Sequence, residues 1–275
     1  MNISSELKKK MKIFGFERDN QTLSCSAENL EDVYTSSFEL YPFHEGKEFA
    51  VYKGLYNGIG PKRGEFCVVK SKLNKKQKLN SWNQITFISA KAQHYSYLFN
   101  SYVKHRFISF TSPRQAILET VSDFIPVIRL VKHHENKLKS REIILMEDFI
   151  EGKFQRFSTP SGLVNSANCD GILEAFSHFS WNVSREIIIS GLQGACQGAT
   201  YHLTTPTIHS TTGSFGENDR QWPGILEFFA SHRCNNICSG WMRPDVPHHL
   251  KFYSSTNCCK ATAPTPSFSE ASSHF

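Results

Sequence analysis

An α+β chain folded in two lobes is predicted by three observations. Two compact apolar runs of strand length, Glu65-Phe-Cys-Val-Val-Lys70 and Glu142-Ile-Ile-Leu-Met-Glu147, bracket a long stretch with helical spacing. That stretch, Ser81 to Arg106, places Ile85, Ile88, Ala92, Tyr95 and Phe99 on one face. A more helical half follows, and 275 residues with 39% apolar content and 22 Phe suffice for a sizeable core.

Each element has its own warrant. Residues 1–40 are polar with scattered apolar positions and read as a flexible lead with room for one short helix. Glu48 to Lys53 begins a β-like region, and Gly64 precedes the first compact strand. Gly171 to Phe179 is helical, with Asp170 as its N-cap. Glu186-Ile-Ile-Ile-Ser190 is a buried strand running into Gly191-Leu-Gln-Gly194. Trp222-Pro223-Gly224 opens a helix over Ile225 to Ser231, with Pro in the first turn. Beyond Pro244 the chain turns polar and rich in Ser, Thr and Pro, and 251–275 reads as a disordered tail. A mixed sheet followed by a helical half predicts a cleft between lobes, where small ligands bind.

The formal charge is +6, from 31 basic and 25 acidic residues, and the excess lies early: Lys8 to Lys10, then Lys70, Lys72, Lys75, Lys76 and Lys78. A solvated face or a phosphate-attracting loop explains such a run. No nucleic-acid reader motif accompanies it, so nucleic acid is not an expected partner. No segment approaches the ~20 apolar residues of a membrane helix, and residues 1–16 lack the apolar run of a signal peptide. A cytoplasmic protein is expected, with its eight cysteines reduced. Asn182-Val-Ser184 matches a glycosylation sequon by pattern only.

His232-Arg-Cys234-Asn-Asn-Ile-Cys238 concentrates three soft or borderline donors in seven residues. Zinc takes four such donors in a tetrahedron, and a closed site is structural. His209 is the best-placed fourth donor, and Cys196, His202, His248 and His249 are alternatives that spacing leaves open.

Several segments, in order, resemble the alpha-type (atypical) protein kinases, the family of the myosin heavy chain kinases and elongation factor 2 kinase. They are Val68-Val69-Lys70, Trp82 to Asn100, Met146 to Phe154, Ala175-Phe-Ser-His-Phe179, Gly191-Leu-Gln-Gly194, Leu203-Thr-Thr-Pro-Thr-Ile-His209, Phe215-Gly216-Glu-Asn-Asp219 and Phe228 to Cys238. The resemblance implies a two-lobed atypical kinase fold over 41–246, with an N-lobe of about 41–150, a C-lobe of about 151–246 and a tail over 247–275. It implies ATP, Mg2+ and structural Zn2+, and a protein substrate or partner. Lys70 resembles the strand lysine on the ATP phosphates. Glu147 and Phe149 resemble the hinge that bonds adenine through its backbone, and Gly216 and Asp219 resemble the ATP-side loop. Gln193 resembles a magnesium ligand, its amide oxygen being a hard donor. His209, His232, Cys234 and Cys238 resemble the zinc ligands.

The departures bear on activity. The family reads Asp-Leu-Gln-Gly where this chain has Gly191, and Leu-Thr-Asp-Pro where it has Thr205. The first Asp helps to hold metal and the second is the catalytic carboxylate; a glycine and a neutral hydroxyl replace them. Arg220-Gln221 replaces a Leu-Gly pair, and Phe49 falls where an N-lobe arginine is expected. Two functions follow as expectations: a Ser/Thr kinase in which Asp219 supplies the missing charge, or a pseudokinase binding module with the same fold.

Overall fold

The structure is a computed structural model, and it describes residues 20–24, 34–39, 41–58, 60–73, 80–120, 138–163 and 171–247. The lysines at 8–10 and 75–78, the Asp170 cap, His248, His249 and the tail beyond them lie outside the described residues.

Seven strands form one antiparallel sheet: β1 (Asn20–Ser24), β2 (Tyr34–Phe38), β3 (His44–Glu45), β4 (Phe49–Gly58), β5 (Phe66–Lys72), β7 (Arg114–Thr120) and β8 (Ile143–Asp148). Their order is β2-β1-β7-β8-β5-β4-β3, and β2 also pairs with β4, so the sheet curls until it meets itself. Strand alternation fills the curl. Tyr52 and Tyr56 of β4, Cys67 and Val69 of β5, Ala116 and Leu118 of β7, and Ile144 and Met146 of β8 share one buried cluster. Val68, Lys70 and Lys72 therefore occupy the opposite face of β5. Two of these strands lie inside the segment read as a flexible lead; Phe38 is fully buried, which ties that lead into the sheet.

The long helix, α1 (Asn80–Tyr102), matches the expected span. Its predicted face residues Ile88, Ala92, Tyr95 and Phe99 are buried against Phe176 and Phe179 of α2 (Ile172–Ser184). This is the second core, so α1 packs with residues far beyond 150. The strand after it, β6 (Phe107–Phe110), pairs in parallel with β12 (Thr200–Leu203), whose other neighbour is β11 (Gln193–Gln197), itself paired with β9 (Gln155–Arg156). The lobe boundary is not a single cut near 150, because the curled sheet is already filled and the apolar stripe of α1 must find cover elsewhere.

The second half is less helical than expected. Besides α2 and α3 (Gln221–Ser231) it holds β9, β10 (Ile187–Ser190), β11, β12 and β13 (Thr207–Ser210), all of two to five residues. Strands this short carry too few alternations to register as a pattern. Strands β10 and β13 pair antiparallel, and α3 packs on β13. Gly224 permits that approach: a Cβ there would fall 2.4 Å from His209 Cγ.

Candidate functional site

Lys70 leaves β5 on the face away from the curled core and forms an ion pair with Glu147 of β8, whose side chain is 1% exposed. The two strands run antiparallel with Val68 opposite Glu147 and Lys70 opposite Leu145, which brings both side chains to one face. The other Glu147 carboxylate oxygen accepts a 2.8 Å hydrogen bond from Thr111 Oγ1. The Glu147 side chain, expected to matter little, is therefore the buried partner that orients Lys70. The Phe149 backbone N–H donates to Phe66 O at 3.2 Å, and its ring packs edge-on against Phe66.

The network continues toward the second lobe. Ser89 of α1 donates to the Thr111 carbonyl at 3.1 Å and lies 3.1 Å from Thr205 Oγ1. A hydroxyl has one proton. Thr111 O and Thr205 Oγ1 are both within reach of the one Ser89 proton. Lys70, Glu147, Thr111, Ser89 and Thr205 thus form one polar chain from the first sheet to the end of β12. Neither Ser89 nor Thr111 was marked by the sequence, since a serine in a helix and a threonine after a short strand carry no motif.

Gln193 opens β11 opposite Arg156, and its carbonyl accepts from Thr204 N at 3.0 Å. Two residues earlier, Gly191 has φ 64°. A Cβ at Gly191 would meet Thr207 Oγ1 at 2.8 Å and Thr207 Cβ at 3.2 Å. Phe49, at the expected arginine position, stacks on Trp82 with centroids 5.4 Å apart.

Asp219 holds the loop between β13 and α3. Its Oδ1 accepts from Ser210 N at 2.8 Å and Gln221 N at 2.9 Å; its Oδ2 accepts from Ser210 Oγ at 2.5 Å and Phe215 N at 3.1 Å. Burial alone raises its pKa, but these four donors outweigh burial and hold the carboxyl below the ordinary Asp value. A carboxylate offers about four lone-pair sites, and all four are taken. Asp219 thus pins the loop as an ionised carboxylate. Gly216, at φ 86°, accepts from Asp219 N at 3.0 Å in the same loop. Gln221 has φ 55° at the position where a glycine is expected.

At the other end of α3 lies a cluster of four donors: His178, His232, Cys234 and Cys238, with all ligand atoms within 4.8 Å of one another. His178 Nδ1 is 3.2 Å from His232 Nε2 and 3.7 Å from Cys234 Sγ, and Cys238 Sγ is 3.5 Å from His232 Nε2. Zinc bonds of ordinary length set tetrahedral edges of about 3.3–3.8 Å between such donors, so the set fits that ion. His178 Nε2 lies 3.1 Å from the Met242 carbonyl. A carbonyl only accepts, so Nε2 carries the proton and Nδ1 offers its lone pair to the cluster. Burial, then His178 and Arg243, lower the His232 pKa to about 3, which keeps the imidazole neutral.

His209 is not the fourth member. Its Nε2 lies 2.8 Å from the Pro160 carbonyl, and its Nδ1 accepts from Arg220 N at 3.1 Å. Both nitrogens are spent, and the ring is covered by Gly224 of α3. His178, in the Ala175-to-Phe179 segment, takes the place assigned to His209. The signal was a histidine inside an aromatic helix, but no spacing rule links it to a partner 54 residues away. Asn235 was also missed: its side chain accepts from Ile237 N and Cys238 N and donates to Gly171 O, tying the Cys turn to the start of α2.

The sequence profile of the Alpha-kinase family matches residues 44–238. The chain belongs to the alpha-kinase family. It is 34% identical over 133 residues to Alpha-protein kinase vwkA of Dictyostelium discoideum, covering 48% of this chain and 20% of that protein. It is 39% identical over 95 residues to human Eukaryotic elongation factor 2 kinase, covering 34% of this chain and 13% of that protein. The chain thus spans about a fifth or less of the length of these curated relatives. Among solved structures, an alpha kinase from Entamoeba histolytica superposes with a TM-score of 0.65 at 21% identity, covering 89% of each chain. The apoenzyme alpha-kinase domain of Myosin-II Heavy Chain Kinase A gives 0.62 at 19% identity, covering 81% of this chain and 95% of that one. The same domain in complex with AMP-PNP gives 0.62 at 18% identity, covering 81% and 95%. The alpha-kinase fold of a curled sheet with helices is therefore established for this chain. No helix among the described residues is long and apolar enough to cross a membrane.

Proposed function

We propose that the Lys70 face of the alpha-kinase domain binds ATP and that the domain acts as a pseudokinase, a nucleotide-holding module for a protein partner. One observation carries this reading. Where the family places its catalytic Asp, Thr205 presents a neutral hydroxyl, 3.1 Å from Ser89 Oγ. A neutral hydroxyl in that role neither takes a proton from a substrate hydroxyl nor orients it by charge, and a general base contributes about 10²–10⁴-fold. Nucleotide binding is supported by Lys70, which Glu147 holds in place on its strand. The test is label transfer from γ-labelled ATP with magnesium. Wild-type chain is expected to label neither itself nor protein substrates, while Thr205→Asp gains transfer. Wild-type labelling that disappears in Lys70→Ala would overturn it.

The second reading is an active Ser/Thr protein kinase. It is supported by Lys70 and Gln193, both at family positions, and by relatives whose names are kinases. Transfer from the γ-phosphate to a protein hydroxyl would then rely on positioning and electrostatics alone.

In either case His178, His232, Cys234 and Cys238 are proposed as a structural zinc site, where the ion would clamp the Cys turn to α2. Free thiols at Cys234 and Cys238 accord with a cytoplasmic setting.

A further inference from the structure

We propose that this cleft takes its nucleotide without a divalent metal. The inference rests on the ATP-binding reading and goes beyond it, because magnesium does not fit the donors present. Mg2+ demands hard oxygens in octahedral geometry and is held by one or two carboxylates together with substrate phosphates. Among the described residues, each carboxylate position of the family that would serve is absent or consumed.

Gly191 offers no side chain, and the space a Cβ would enter is filled by Thr207, with Oγ1 at 2.8 Å and Cβ at 3.2 Å. The φ of 64° further disfavours a side chain there. A side chain at this position would require the Thr207 side chain to shift. Thr205 ends the polar chain as a neutral hydroxyl hydrogen-bonded to Ser89. Asp219 carries two donors on each oxygen, so a metal at either oxygen would have to break the loop between β13 and α3. Glu147 has Lys70 on one oxygen and Thr111 on the other and is 1% exposed. What remains is the neutral amide of Gln193. Among the described residues, the group of three or more His, Cys, Asp or Glu side chains able to hold an ion is the one formed by His178, His232, Cys234 and Cys238. Its sulfur donors suit a softer ion than magnesium.

The phosphate charge then falls to protein cations. Lys70 and Lys72 are two residues apart on β5, so both leave the face opposite the curled core. Lys72 is 7% exposed and lies 4.7 Å from the Trp82 ring centroid, which fixes it at the start of α1. A family member that holds nucleotide through metal has carboxylates to collect the metal; here the cation on offer is Lys70, still 18% exposed beside its Glu147 partner, with Lys72 adding positive charge behind it.

The experiment is equilibrium binding of ATP to the full chain, in excess EDTA and again in excess Mg2+. The expected result is the same dissociation constant in both within about twofold, well under the tenfold that marks 1.4 kcal/mol. Lys70→Met with Glu147→Met, which removes the pair together and leaves no orphaned charge, is expected to weaken binding about tenfold or more in both buffers. Thr205→Asp supplies a carboxylate and is expected to make binding tighten with magnesium. Wild-type binding that requires magnesium by about tenfold or more overturns the proposal. Absence of ATP binding in both buffers overturns the ATP-binding reading, and this inference with it.

Discussion

The two polar clusters of this domain are built on opposite principles. In the His178–Cys238 cluster, protein groups hold the donors from outside and turn their ligand atoms toward one another: Met242 O takes His178 Nε2–H, and Asn235 pins the Cys turn. Four donor atoms lie within 4.8 Å of one another, and three of their separations, 3.2, 3.5 and 3.7 Å, are near the edges of a zinc tetrahedron. In the cleft the reverse holds. Glu147, Thr111, Ser89, Thr205 and Asp219 spend their polar atoms on one another and on backbone. The lesson is that a polar residue at a family position is informative only with its partners counted. An unspent donor set calls for a ligand, and a spent one is structure.

The largest effect that would break this comparison is at His178. Apparent zinc-binding free energies of about 10–16 kcal/mol match or exceed the stability of a whole domain, about 5–15 kcal/mol. His178→Ala is expected to lose bound zinc and to unfold the second core. His209→Gln is expected to keep the metal, since both its ring nitrogens face protein partners. Metal content by elemental analysis, measured beside a thermal melt, decides this. Retention of one zinc by His178→Ala together with its loss in His209→Gln would reverse the ligand assignment.

How far the sequence carried the reading follows the same division. The β5 strand, the α1 face at Ile88, Ala92, Tyr95 and Phe99, and the start of α3 were legible because burial imposes a local period. The Cys turn was legible because three ligands lie within seven residues. What stayed hidden was non-local. The pairing of His178 with His232 across 54 residues and of Ser89 with Thr205 across 116 is set by how α1 and α2 pack, and no local pattern encodes it. The saturation of Asp219 was hidden for another reason: three of its four donors are backbone N–H groups, of Ser210, Phe215 and Gln221, whose positions exist only once the loop is folded.

The next effect sharpens the spent side. Glu147→Ala leaves Lys70 without its counter-charge beside a buried strand and is expected to cost about 3–5 kcal/mol, read as a fall in the urea midpoint. Adding Lys70→Met should recover most of that loss. If the single variant is as stable as the parent, the pair is not the anchor of this chain.

Asp219→Asn comes third. It swaps an acceptor-only group for an amide whose NH2 faces backbone N–H, at about 1–3 kcal/mol. It should also change the acid limb of stability. The folded carboxyl lies below its ordinary value of 3.8, so its contribution is complete above that value. It drains as pH falls toward the lower folded value and is gone below it. Stability measured between about pH 5 and pH 2 should therefore fall less steeply in Asp219→Asn than in the parent. Equal slopes would mean that Asp219 ionises in the folded chain as it does in the unfolded one.

The smallest effect tests whether the departures in the cleft carry strain. Gln221 occupies the left-handed region at φ 55°, where a side chain costs about 1–2 kcal/mol and glycine does not pay it. Its backbone N–H bonds Asp219 Oδ1 whatever the side chain, so the loop pin survives substitution. Gln221→Gly removes the strain and adds unfolded-state freedom worth about 0.5–1 kcal/mol. The expected net is a gain of about 0.5–1 kcal/mol in unfolding free energy. A loss of that size would show instead that the Gln221 side chain, close to Gly213 in the folded loop, contributes more by packing than its backbone costs. The replacement of glycine here would then belong with Thr207 over Gly191, as a second place where this cleft has been filled.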